Sequence, residues 1–187
     1  VKYKVIPINI MKNEQFDENY LKISPNNKIP AMHDHENNIS LMESAAIMLY
    51  LAEKFKKFLP SDSINRFKCI EWLSFQIGSQ GPMLGQAHHF LKFNKGKSIY
   101  AEKRYQTEAE RLYKVMNTQL KKNKYLAGEK YTIADIAAWP WIARFEWHQV
   151  DLKKYEYVAR WYTNISSREA VKKGYDIPSI GASIPKV

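Results

Sequence analysis

Only one cysteine, Cys69, occurs in 187 residues. A lone thiol rules out an internal disulfide framework and a C-x-x-C redox pair, so any thiol chemistry must use a sulfur that belongs to a ligand. No run of about 18 apolar residues is present, which excludes a membrane-spanning helix, and no signal peptide is visible. The expectation is a soluble protein of the cytoplasm with no membrane partner. Acidic residues are the minority charge, 19 against 29 lysines and arginines, for a formal charge of +10. The excess suits anionic partners, yet the lysines are scattered without a long basic block. Clustering rather than total charge marks a nucleic-acid face, so the reading is a general surface bias and no nucleic-acid partner. A metal pair is missing as well: His88 and His89 are adjacent, share no helix face and lack the i,i+4 spacing of zinc ligands.

What the chain does contain is enough apolar residues, 45% hydrophobic and 13% aromatic, for a packed core. The length allows one large domain or two small ones. Lys2 to Ile8 alternates like a strand and Glu14 to Leu21 reads as a short helix. The centre of interest is Ser24 to Ser44. Proline cannot donate to a central ladder, so Pro30 at the start of a strand needs a reason. A cis Ile29-Pro30 bond turns the backbone of Ile29 outward and leaves its N–H and C=O free to pair with an extended peptide, as an added strand does. The next strand, Ile39 to Met42, ends at Glu43-Ser44, and Ala45 to Phe55 reads as helix. Ser44 then places a hydroxyl and unpaired amides at a helix N-terminus, which favours a bound carboxylate, while Glu43 can accept from an ammonium group. One end of an amino-acid ligand is held by both charges. Lys28, just before the Ile-Pro step, stands where it can meet a ligand carboxylate.

Pro60 and the small polar residues around it break the pattern and mark a boundary between 1–58 and 63–187. Beyond it the periodicity is helical. Arg66 to Gln76 is expected to bury Phe67, Ile70, Trp72, Leu73 and Ile77; Gly78 to Gly85 is expected to loosen the backbone; Ile99 to Leu120 carries apolar residues every three or four positions. Glu110 and Lys114 are spaced for an i,i+4 pair. Thr132 and Asp135 form a capping box with Asp in place of Glu, a folding feature rather than a catalytic one. Pro140 falls inside the helix that follows, Tyr155 to Ser166 is amphipathic, and the tail from Asp176 reads as extended. Cys69 lies on an apolar helical face and reads as a buried thiol. His88 and His89 are open to two readings, a role at a second-ligand site or packing at a helix end.

Five blocks, SPNNKIPA, ESAAIMLYLAEK, GPMLGQAHHF, RYQTEAERLYKVMN and YTIADIAAWPW, together resemble the glutathione transferase family, and within it the bacterial nu class. The resemblance implies an α/β thioredoxin-like N-terminal domain, incomplete here, followed by an all-α C-terminal domain. It also implies glutathione as cosubstrate, glutathione-dependent reduction of a small-molecule disulfide or attack on an electrophile, two glutathiones or one glutathione disulfide per site, and a homodimer. The glutathione-binding set becomes Gln15, Lys28, Ile29, Glu43, Ser44 and Arg104, of which Gln15 and Arg104 rest on the resemblance alone. In the family a Thr and an Asn after the first strand stabilise the glutathione thiolate. They are expected upstream of Val1, with a strand and helix that precede it, so no catalytic residue is assigned. The same fold also serves as a non-catalytic assembly or regulatory module.

Overall fold

The computed structural model describes residues 2–178, 181 and 183–187. The chain divides into two compact units, Val1–Lys56 and Lys57–Val187.

In the first unit two single turns of 3-10 helix lead into the short helix α1 (Glu18–Leu21), where one helix over 14–21 was expected. A two-stranded antiparallel sheet follows, β1 (Ala31–Asp34) with β2 (Ile39–Met42), in the register Ala31 to Met42 and Asp34 to Ile39. Lys2 to Ile8 is irregular rather than a strand. A strand exists through its ladder; among the described residues β1 and β2 pair only with each other, and Pro7 has no N–H to offer. Helix α2 (Ser44–Phe55) packs on the hairpin and buries Ala45, Ile47 and Ala52. The hairpin and helix are pinned by Asp34, which accepts from the Tyr50 hydroxyl and pairs with Lys54 at 2.5 Å. Those two donors hold its carboxyl well below the usual carboxylate range.

The second unit is helical throughout. Asp62 caps α3 (Ser63–Phe75) by accepting from the Asn65 amide at 2.9 Å. The helix does not loosen afterwards. Wide π-type turns at 76–80 and 88–93 flank α4 (Gly81–Ala87) and carry the helical path on to Phe93. Gly81 serves close approach, since a Cβ there would meet Gln76 Nε2 at 2.8 Å and Trp141 Cε2 at 3.3 Å. The buried line of α3 and its extension is Cys69, Leu73, Gln76 and Gln80; Phe67 and Ile77, expected inside, are 66% and 42% exposed. These buried residues recur every three or four positions along one helical face, and Phe67 and Ile77 lie off it.

The long helix α5 (Ile99–Lys122) buries Ala109, Leu112, Tyr113, Met116 and Leu120, the spacing of one helical face. On its solvent side the ion pair is Glu108 with Arg111 at 2.7 Å, not Glu110 with Lys114. Helix α6 (Ile133–Ile142) contains Pro140 and opens with the capping box of Thr132 and Asp135. Asn117 of α5 caps α7 (Glu156–Ser166), its Oδ1 accepting from the amides of Tyr157 and Val158. A further helix, α8 (Glu169–Tyr175), precedes the tail, where an extended segment was expected only from Asp176. Part of that tail, residues 179, 180 and 182, lies outside the described residues; the Pro185 carbonyl accepts from the Tyr162 hydroxyl at 2.8 Å.

Candidate functional site

Two hydroxyls set the backbone at the centre of the first unit. Tyr20, nearly buried, and Ser24, fully buried, both donate to the Lys28 carbonyl, at 2.7 and 2.8 Å. With that carbonyl fixed on two donors, the next peptide has little freedom. It is the Ile29-Pro30 bond, and it is cis. The N–H and C=O of Ile29 make no hydrogen bond among the described residues, and the side chain is half exposed. Ala31 then enters β1 opposite Met42 of β2, so the register puts Ile29 and Glu43 at the same end of the hairpin. Asn26 Nδ2 closes this end with a 3.4 Å contact to Glu43 Oε1.

Glu43 has φ +67° and ψ +117°, a conformation that a non-glycine residue adopts at a cost of about 1–3 kcal/mol. It stands as the N-cap of α2 yet its side chain makes no capping bond; among the described residues its carboxylate accepts only the long contact from Asn26. The amides of Ser44, Ala45 and Ala46 form the open first turn of this 12-residue helix, since the first ladder bond runs from the Ile47 amide to the Glu43 carbonyl. Unpaired donors and a carboxylate acceptor thus sit side by side, the complement of a zwitterionic amino-acid group.

The first unit holds Gln15, Lys28, Ile29, Glu43 and Ser44. Gln15 is half-buried, and its Oε1 is shut off from solvent without a hydrogen-bond partner. Lys28 is exposed. Arg104 belongs to the second unit, exposed on α5, where its charge helps Arg111 hold the Glu108 carboxyl below its usual range. Asn27, which sequence reasoning passed over, has a second enclosed and unpartnered oxygen, Oδ1, on a left-handed backbone at φ +54°. Its signal in the sequence is the asparagine pair before Lys28, a residue type that tolerates that conformation.

A buried polar chain in the second unit includes His88. Tyr113 Oη lies 2.8 Å from His148 Nδ1, and His148 Nε2 lies 2.5 Å from His88 Nε2. The His88 and His148 rings stack 4.5 Å apart. One proton per contact closes the chain when Tyr113 donates to His148 and His148 donates to His88. Burial and then the Arg144 charge push His88 down to about 4, and burial and then His88 push His148 down to about 2. His89 is exposed beside Asn94. Tyr113 and His148 were invisible as partners because 35 and 60 residues separate the members of the chain.

This chain sets an acid limit on stability. Both histidines are neutral when folded and take up protons near pH 6.5 once unfolded. Their contribution is therefore fully present above pH 6.5 and is lost as pH falls from 6.5 toward the folded values of about 4 and about 2. The expected slope approaches about 2.7 kcal/mol per pH unit when both unfolded-state rings titrate. Urea unfolding at pH 7.5, 6 and 5 measures it. The double variant Tyr113→Phe, His148→Phe is expected to flatten the profile by removing one proton.

Among the described residues no three His, Cys, Asp or Glu side chains are grouped to hold a metal ion, and no helix is long and apolar enough to cross a membrane. Cys69 is fully buried and burial pushes its thiol up.

Residues 1–53 match the family described as Glutathione S-transferase, N-terminal domain, and residues 81–169 match its C-terminal domain. Over 173 residues the chain is 45% identical to Disulfide-bond oxidoreductase YfcG of Escherichia coli (strain K12), covering 90% of this chain and 80% of that one. The chain belongs to the glutathione transferase family. Disulfide-bond oxidoreductase YghU of the same organism is 39% identical across 92% of the chain, which spans 63% of that relative. A glutathione transferase from Pseudomonas putida, crystallised with one glutathione disulfide per subunit, superposes with a TM-score of 0.90 at 33% identity, covering 96% of this chain and 82% of that one. One from Burkholderia graminis, with two glutathione molecules per subunit, gives 0.90 at 32% identity, covering 97% and 80%. The first unit of this glutathione transferase is thus a thioredoxin-like α/β domain, and the second is its helical C-terminal domain.

Proposed function

We propose that this glutathione transferase binds glutathione at the Ile29 and Glu43-Ser44 end of the hairpin and uses it to reduce small-molecule disulfides. The observation that carries the reading is the unpaired backbone of Ile29 at the same end of the hairpin as an open helix N-terminus and a strained glutamate that makes no capping bond. The tripeptide main chain pairs with Ile29 as an added strand. Its α-carboxylate meets Ser44 and the first amides of α2, its ammonium group meets Glu43, and Gln15 and Lys28 flank the peptide. Arg104, on the second unit, is retained as a candidate for a glutathione carboxylate on the family resemblance alone.

The sulfur chemistry belongs to glutathione. A glutathione thiolate attacks one sulfur of the disulfide, the S–S bond breaks, and the departing thiolate takes a proton, leaving a mixed disulfide. A second glutathione thiolate attacks the mixed disulfide, releasing the other thiol and glutathione disulfide. Two glutathiones are oxidised and one disulfide is reduced to two thiols. Cys69 takes no part, being buried with a raised thiol pKa. The names of YfcG and YghU as disulfide-bond oxidoreductases, and the glutathione disulfide in the P. putida enzyme, support this reading. We also propose a cytoplasmic location and a homodimer, the latter supported by Ile64 and Phe67, large apolar side chains one helical turn apart and exposed on α3.

The test is turnover of a small aliphatic disulfide with glutathione, followed as glutathione disulfide formed. Turnover is expected to require glutathione and to be unchanged in Cys69→Ala. A folded protein without turnover above the uncatalysed exchange, or turnover abolished by Cys69→Ala, contradicts the proposal.

A further inference from the structure

The helical unit carries an open surface groove of about 330 Å³ lined by Lys121, Lys122, Asn123, Lys124, Arg160 and Asn164. Four of the six are cations and no carboxylate lines it. Basic residues in the last turn of a helix ordinarily serve its unpaired carbonyls. Here that task is done by other groups. Asn123 Nδ2 donates to the Gln119 carbonyl at 3.1 Å, and Arg160 Nη2 donates to the carbonyls of Leu120 at 2.6 Å and Asn123 at 2.9 Å. Among the described residues no carboxylate pairs with Lys121, Lys122 or Lys124; Lys124 lies 5.7 Å from the Tyr125 ring centre. The end of α5 is satisfied and three ammonium groups remain in excess. Arg160 is fixed through Nη2 on two carbonyls and lies 5.5 Å from the Tyr157 ring; among the described residues its Nε and Nη1 make no hydrogen bond.

We infer that this groove is a binding site for a compact oligophosphate anion. Charge and donor type both point there. Four exposed positive charges around one open groove repel one another, and a ligand of three to five negative charges removes that repulsion where a single carboxylate cannot. Arg160 contributes its charge and single N–H donors, its Nη2 being held by two carbonyls, and lysines supply compact charges around it. The amides of Asn123 and Asn164 add neutral polar groups at the rim. A nucleic-acid backbone, by contrast, needs cations along an extended track, whereas these are drawn from the end of α5 and one face of α7. The inference does not depend on the glutathione site, which uses other residues.

Inorganic tripolyphosphate titrated into the full chain at low salt tests it, by calorimetry and by amide chemical shifts. Binding at one site per chain is expected, with shifts at 121–124 and 160–164. The triple variant Lys121→Gln, Lys122→Gln, Lys124→Gln is expected to weaken it at least roughly tenfold, since it keeps the cap by Arg160 and removes three of four charges. A control triple, Lys4→Gln, Lys95→Gln, Lys97→Gln, lowers the net charge equally and is expected to change it less than about twofold. Glutathione affinity is expected to be equal in both triples. Absence of tripolyphosphate binding, equal weakening in the two triples, or shifts that fall elsewhere overturn the inference. So does a DNA duplex that binds more tightly than tripolyphosphate and loses affinity equally in both triples, which would reveal a diffuse polyanion surface.

Discussion

Glu43→Gly is expected to move two measurements in opposite directions. Glycine accepts φ +67° without strain, so stability rises by about 1 kcal/mol, or roughly 2–4 °C in melting temperature for a chain of this size. The same change removes the carboxylate proposed to hold the glutathione ammonium. A charge-assisted hydrogen bond of about 1.5–3 kcal/mol is lost, and the dissociation constant for glutathione rises about 10- to 150-fold. Glu43→Ala keeps the strain and shows the binding loss alone. Ser44→Ala removes a neutral hydroxyl and is expected to weaken binding only about 2- to 10-fold, because the helix amides remain. Calorimetric titration and thermal unfolding of the three variants decide the matter. Unchanged glutathione affinity in Glu43→Gly contradicts the assignment; unchanged stability shows that the strain is relieved elsewhere. A residue that weakens the fold and is kept for binding is the ordinary form of a stability and function trade-off.

Asp135→Ala is expected to be the most destabilising single exchange in the helical unit. The carboxylate is fully buried and accepts from four donors: the Leu126 amide at 2.9 Å, the Thr132 amide at 2.9 Å, the Thr132 hydroxyl at 3.2 Å and Trp161 Nε1 at 2.8 Å. Burial pushes its carboxyl up while these donors pull it down, and the burial effect is the larger. Alanine strands all four donors away from water, at a combined loss of about 4 kcal/mol, or roughly 8–16 °C in melting temperature. Asp135→Asn keeps one accepting oxygen but turns an NH2 group toward donors, and about half that loss is expected. Glutathione affinity of the protein that remains folded at low temperature is expected to change less than about twofold, since the capping box positions the start of α6 and not the hairpin end. A drop of less than about 3 °C in Asp135→Ala would mean that the four bonds are replaced by others.

The hairpin end was legible because its parts are local. Ile29-Pro30, Glu43 and Ser44 each carry a residue-type signal, and the short strands between them fix which end they share. The strained backbone of Glu43 was not legible, since φ +67° in a glutamate is imposed by the join of β2 and α2 and has no compositional mark. The capping box could be read for the same reason as the hairpin, its two residues being three apart. Trp161 and Leu126, the other partners of Asp135, lie 26 and 9 residues away and come together only through packing. The π turns at 76–80 and 88–93 carry no mark in the sequence: glycines at 78, 81 and 85 suggested a loose chain, while Gly81 in fact admits Trp141 and Gln76. Lys2 to Ile8 shows the opposite failure, where alternation is present and no strand forms, because the pattern describes a side-chain preference and the strand requires a neighbour. The basic groove stayed hidden because total charge was judged along the sequence, whereas Lys121, Lys122 and Lys124 acquire Arg160 as a neighbour only in the folded unit.

Amide hydrogen exchange at Ile29, with and without saturating glutathione, tests the central claim most directly. The account predicts that the Ile29 N–H, open in the free protein, becomes strongly protected together with the amides of Ser44 to Ala46. An Ile29 amide that exchanges equally fast in the saturated complex would contradict it.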